Sequence, residues 1–203
     1  MTGTHESAGT PGPAERVRVG VVLPRPGDLG EWLSEAVAFE AAGADALWLD
    51  HGAEPPLDPL ILTAALAAVT YRALLVAAVP ETAGSRALAT AERLSRGRLA
   101  LIIAEDAGAG GDEEVQRLTG QGAGAGSGGR VLRLADGGYE EDGVGRWAPS
   151  AVPLGRPAWR EVLRLAAERG DHGVLVPADP RLLDLLRNPE DPGGRQDLQL
   201  AQG

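Results

Sequence analysis

The chain has 203 residues, 43% of them apolar, enough for one sizeable core, and its 29 glycines and 15 prolines gather in segments that cannot be core. A formal net charge of −10, with scattered basic residues that are all arginine, excludes nucleic acid and anionic membrane surfaces as partners, since both would be repelled. The absence of cysteine removes disulfides, thiol catalysis and Cys-based metal sites, and no two histidines stand at metal-ligand spacing, so no metal is expected.

Residues 1–16 are polar and rich in Gly and Pro, which predicts a disordered N-terminal arm without the apolar centre of a signal peptide. No apolar run approaches the roughly 18 residues of a membrane span, and cytoplasm is the expected location. Val17 to Leu23 is a β-branched run that reads as a central parallel strand ended by Pro24. From Gly30 to Ala42, Trp32, Leu33, Ala36, Val37 and Glu40 fall at helical spacing, and Gly43 supplies the stop. Ala46 to Leu49 is the second strand, with Trp48 either buried or facing a covering helix.

In 58–71, Asp58 caps a helix, Pro59 takes its first position, and the body LILTAALAAV is apolar almost all round. Such a helix has two surfaces to hide, which predicts a homodimer through 58–71, the alternative being a cover of loop or C-terminal chain. Ala73 to Val79 is the third strand, Ser85 to Leu94 its helix, and Leu99 to Ala104 the fourth strand. Residues 107–130 read as a Gly-rich linker around a short polar helix, 112–118. Gly124, Gly126 and Gly129 match a dinucleotide fingerprint only formally, because they follow a helix and precede a strand.

The segment VLRLADGGYEEDGVGRW reads as one short strand and turns, or a hairpin bent at Gly137-Gly138. Trp159, Val162, Leu163 and Ala166 then form a helical stripe, Gly173 to Val176 a strand, and Asp179-Pro180 starts a last helix with Leu182, Leu185 and Leu186. His172 falls in a turn and reads as solvent-exposed, and residues 188–203 read as a flexible tail.

The order FEAAGADALWLDHG, DPLILTAALAAVTYRALLVAAVP, LATAERLSRGRLALIIAE resembles the first half of a luciferase-like flavin-dependent monooxygenase, a family built on a TIM-type (β/α)₈ barrel. WREVLRLAAERGDHGVLVPADPRLLDLLRN is similar, less specifically, to its closing helix-strand-helix. A complete barrel usually takes about 250 residues. The expectation is therefore a single α/β domain over 17–187, an incomplete TIM-type barrel of about six strands with its middle to late units missing and its open edges covered.

The resemblance implies an oxidoreductase or monooxygenase that uses reduced flavin, FMN or a deazaflavin, on a small organic substrate. An Asp-His pair ending strand two is a family signature, here Asp50-His51. His51 is the candidate catalytic and cofactor-facing residue, because a neutral imidazole both donates and accepts near neutral pH. The alternative is a histidine that merely caps a loop, and Asp50 reads as a loop-holding residue. Ala78 and Val79 align with the small residues over which the family's flavin lies, though small residues also serve close strand-helix packing. Glu105 ends strand four against the cofactor, but Glu105-Asp106 stand where the family has a glycine-rich turn, and two carboxylates repel a flavin phosphate. The alternative function is a non-catalytic relative that has lost the cofactor and acts as a dimeric binding or accessory protein.

Overall fold

A computed structural model describes residues 16–52, 56–78, 85–103 and 129–187. Within them the order is β1 (Arg18–Val22), α1 (Leu29–Ala42), β2 (Ala46–Leu49), α2 (Pro59–Val69), β3 (Leu74–Ala78), α3 (Ser85–Ser95), β4 (Leu99–Ile103), β5 (Gly129–Arg133), β6 (Tyr139–Glu141), β7 (Gly145–Pro149), α4 (Arg156–Arg169), β8 (Gly173–Pro177) and α5 (Pro180–Arg187).

Local signals place the helices where the residue types put them. Asp28 caps α1 through Glu31 N, and Gly43 ends it in the left-handed region at φ 112°. Asp58 accepts from Leu60 N at 2.8 Å, with Pro59 opening α2. Asp179 accepts from Arg181 N at the start of α5. The buried carboxylate of Glu40 joins α1 to the start of β3 by accepting from the backbone N–H groups of Tyr71, Arg72 and Ala73. Burial pushes its pKa up, but these three donors and the Arg98 guanidinium outweigh burial and hold the carboxyl below its ordinary value.

The sheet corrects the expected architecture. It is a closed barrel of eight strands, β1 to β8 in sequence order, where the sequence predicts an incomplete barrel of about six. It is also mixed: β6 runs antiparallel to both β5 and β7, and all other neighbours are parallel, so it is not the all-parallel TIM-type sheet. The middle to late part of the barrel is not missing but compressed. Residues 129–149 supply three strands as a meander, with no crossover helix between them, and β8 then pairs with β1 so that no edge is left to cover.

Two tight turns allow this. Gly137-Gly138 do lie in the β5–β6 bend, where Leu134 N donates to Gly138 O and Asp136 Oδ1 accepts from Gly138 N. In the β6–β7 turn Gly143 has φ 70° and Val144 N donates to Glu141 O. The two carboxylates in Tyr139-Glu140-Glu141 and the three-residue length of β6 gave no apolar run to read as a strand. Its pattern is nonetheless alternating, with Tyr139 and Glu141 on one face and Glu140 on the other.

Register partners share a face of the sheet, and the series Val22, Trp48, Val76, Ala100, Gly129 runs around the inside of the barrel. Trp48, left open between burial and a covering helix, thus points into the lumen and is fully buried there with Trp147, Val131 and Leu175. The outer faces of the strands, including Val19, Val21, Leu47, Leu49 and Leu75, pack under the helices in a second and larger core.

The lumen is filled by large rings set against missing side chains. A Cβ on Gly173 would lie 2.4 Å from Trp147, and one on Gly20 would lie 2.6 Å from Leu175 and 2.7 Å from Trp48 Nε1. Trp48 meets Tyr139 at 4.8 Å and Trp147 at 5.5 Å between ring centroids, and Trp147 meets His172 edge-on at 5.3 Å. His172 is accordingly half-buried against the lumen rather than free in solvent. Trp147 Nε1 donates to the buried Glu141 at 2.8 Å.

Gly173→Ala should therefore destabilise by about 2 kcal/mol or more in urea unfolding, as overpacking of a filled core does. Gly27→Ala, with nothing within 4 Å of the added carbon, should stay within about 0.5 kcal/mol of the parent. Equal stability of the two variants would mean the lumen is not packed in this way.

Candidate functional site

In βα barrels the strand ends on the C-terminal side carry the site, because the loops that follow them are free to vary over a fixed scaffold. Here that rim is formed by Leu23 to Arg25 after β1, Asp50-His51 after β2, Arg133 and Tyr139 on either side of the β5–β6 bend, Pro149 and Pro177. Two adjoining open cavities occupy it. One, of about 410 Å³, is lined by Val22, Leu23, Pro24, Arg25, Asp50, His51, Pro177 and Ala178. The other, of about 320 Å³, shares Val22 and Pro177 and extends to Tyr139 and Ser150. Both sit above the filled lumen, so the open space is at the rim and not inside the barrel.

His51 lies on that rim, 7% exposed, and lines the larger cavity. Its Nε2 stands 3.2 Å from the carbonyl oxygen of Leu23, which only accepts, so Nε2 donates and in the neutral ring Nδ1 is left as the acceptor. Its own carbonyl oxygen accepts from Arg25 Nη2 at 2.6 Å. Ala78 is the last residue of β3, inward-facing and half-buried, in register with Ile102. Val79, Glu105 and Asp106 lie outside the described residues, as do the 112–118 helix, Gly124 and Gly126. Gly129 opens β5.

Asp50 continues the inward face of β2 beyond Trp48, and it does more than hold a loop. It accepts from Gly52 N at 3.3 Å, as a loop-holding residue would, and also from Tyr139 Oη at 2.5 Å and from the Arg133 guanidinium across the barrel mouth. Tyr139 and Arg133 are the residues that sequence reasoning missed. They face each other in register across β5 and β6, on the inward side, and the alternation Val131-x-Arg133 and Tyr139-x-Glu141 is the signal that carries them. Burial and then the hydrogen bond donated to Asp50 push the Tyr139 phenol well above its ordinary value.

Among the described residues no group of three or more His, Asp or Glu side chains is placed to hold a metal ion. None of the described helices is long and apolar enough to cross a membrane.

No family model matches the chain, and no curated protein matches its sequence. Among solved structures, the fold is similar to that of EDTA monooxygenase from Chelativorans sp. BNC1, with 15% sequence identity and a TM-score of 0.45 over 80% of this chain and 61% of that one. The chain thus spans less than two thirds of that enzyme's length.

The Tyr139–Asp50 bond has a direct reading in alkali. In a Tyr71→Phe background Tyr139 is the sole phenol, since the chain has two tyrosines, and absorbance titration should place its ionisation well above the ordinary value near 10. Asp50→Asn should bring it down. Because the folded pKa is the raised one, the stability this group contributes is complete below the unfolded value and is lost as pH rises through the folded value. Ionisation near 10 in the parent would contradict the buried bond.

Proposed function

We propose that the chain is a luciferase-like oxidoreductase or monooxygenase, binding reduced flavin, FMN or a deazaflavin, across the C-terminal rim and acting on a small organic substrate. The observation that carries the reading is the open rim cleft, of a size that admits small molecules, with His51 in its wall at the end of β2, where the sequence resemblance puts a cofactor-facing histidine.

The open rim cleft fits such a group in size. The filled lumen leaves the rim as the place for a planar ring, over a floor made by the Asp50–Tyr139 bond. When bound, reduced flavin supplies the electrons for reaction with oxygen or an organic substrate. The chain's own residues bind and orient. In neutral His51, with Nε2–H held by Leu23 O, the remaining ring nitrogen is available to accept a proton or hydrogen bond.

A second reading, a cofactor-less relative serving as a binding or accessory protein, is favoured by one feature: Asp50 is committed to Arg133, Tyr139 and Gly52 N. Titration of FMN and of a deazaflavin into the protein separates the two. The oxidoreductase reading expects fluorescence quenching and a thermal shift, and expects His51→Ala to bind flavin while losing turnover. No quenching and no shift with either flavin favours the accessory protein.

Self-association through 58–71 belongs to the same proposal. Leu60, Leu62 and Leu66 are already buried within the chain, but Ile61 is 68% and Tyr71 66% exposed on the outer side. Ile61→Glu should convert dimer to monomer on sizing with light scattering, and a monomeric parent refutes the dimer.

A further inference from the structure

We propose that the rim cleft selects an organic anion, a carboxylate on an apolar body, and that Arg25 is the residue that takes the oxyanion. The inference rests on the reading of the rim as the functional site and adds the substrate class to it.

Arg25 lines the larger cavity. A guanidinium has five N–H donors. One of Arg25's is used, by Nη2 on the His51 carbonyl, and among the described residues no carboxylate pairs with it. Among the described residues, Asp50 is matched with Arg133 and Asp179 with Arg181, while Asp28 and Asp58 cap helices. Among the described residues Arg25 is therefore a cation that lines the cavity without a carboxylate partner. It stands in a protein whose net charge of −10 would otherwise turn anions away.

The cation is also held in place. Trp32 Nε1 donates to Pro24 O at 2.8 Å, fixing the residue before it, and the 2.6 Å bond to His51 O fixes the guanidinium itself. Holding a side chain in its binding geometry beforehand reduces the ordering cost of taking a ligand, and a planar guanidinium matches a carboxylate in two parallel hydrogen bonds. The rest of the wall is Val22, Leu23, Pro24, Pro177 and Ala178, an apolar surface, together with His51 and with Asp50, whose carboxylate is already engaged by Arg133 and Tyr139. A cation at one edge and a mostly apolar wall define the class: an oxyanion head on a hydrocarbon body, not an inorganic ion.

The same oxyanion chemistry is carried by a flavin phosphate, so the experiment has two arms. In the first, hexanoate and hexanamide are titrated calorimetrically into the parent and into Arg25→Gln. Because Arg25 is exposed, the variant should unfold with the parent. The expected result is that the parent prefers hexanoate by about tenfold or more, and that Arg25→Gln loses this preference while its weak binding of hexanamide is unchanged. In the second, FMN and riboflavin are titrated into both proteins. Arg25→Gln should leave their ratio as in the parent. Equal binding of hexanoate and hexanamide by the parent overturns the proposal. So does a variant that loses FMN over riboflavin while keeping its hexanoate, which assigns Arg25 to the cofactor. Failure of both flavins to bind the parent sinks the oxidoreductase reading alone, and the hexanoate arm still decides the anion site.

Discussion

Trp48 and Trp147 occupy the volume that Gly20 and Gly173 leave vacant, and the closure of the sheet depends on that exchange. An eight-stranded barrel has a lumen just wide enough for side chains to fill, so its interior must be packed as a core. Here much of that volume falls to two indoles and a phenol, with Trp48 in contact with the other two rings, set on three strands. β2 brings one ring and the meander brings the other two, which makes the short β5–β6–β7 segment part of the core and not an ornament on it. Small residues opposite the rings are required, because a single methyl at Gly173 would stand 2.4 Å from Trp147.

That packing also sets where chemistry can occur. With the lumen full, the available space is the shallow rim above it, and the groups on that rim are held by one another across the mouth. Asp50 extends from the strand that carries Trp48, while Tyr139 is itself one of the packed rings. The floor of the cleft and the core of the barrel are thus one construction. A change in the core shifts the phenol, and the phenol positions the carboxylate.

The elements legible in the sequence were those with local punctuation. Gly43 at φ 112°, Asp58 with Pro59, and Asp179 with Pro180 mark helix boundaries by chemistry that acts within a turn or two, and all fall where the residue types suggest. The β-branched and leucine-rich strands β1 to β4 and β8 were legible because both their faces are buried. β6 and β7 were not. A three-residue strand with two carboxylates carries no hydrophobic run, and its identity comes from partners on either side. Strand count and closure therefore escaped, and an incomplete barrel was expected in place of a closed mixed one. The same reason hid half of the site: Asp50-His51 ends a readable strand, whereas Arg133 and Tyr139 become rim residues only once the meander has folded against β4 and β8.

The central claim is closure by that meander around the paired tryptophans, and nuclear Overhauser contacts in solution test it most directly. The account predicts cross-strand contacts between Tyr139 and Trp147 and between Trp147 and Gly173, with β1 amides facing β8 slow to exchange. Absence of both contacts, with β8 exchanging as a free edge, would contradict it.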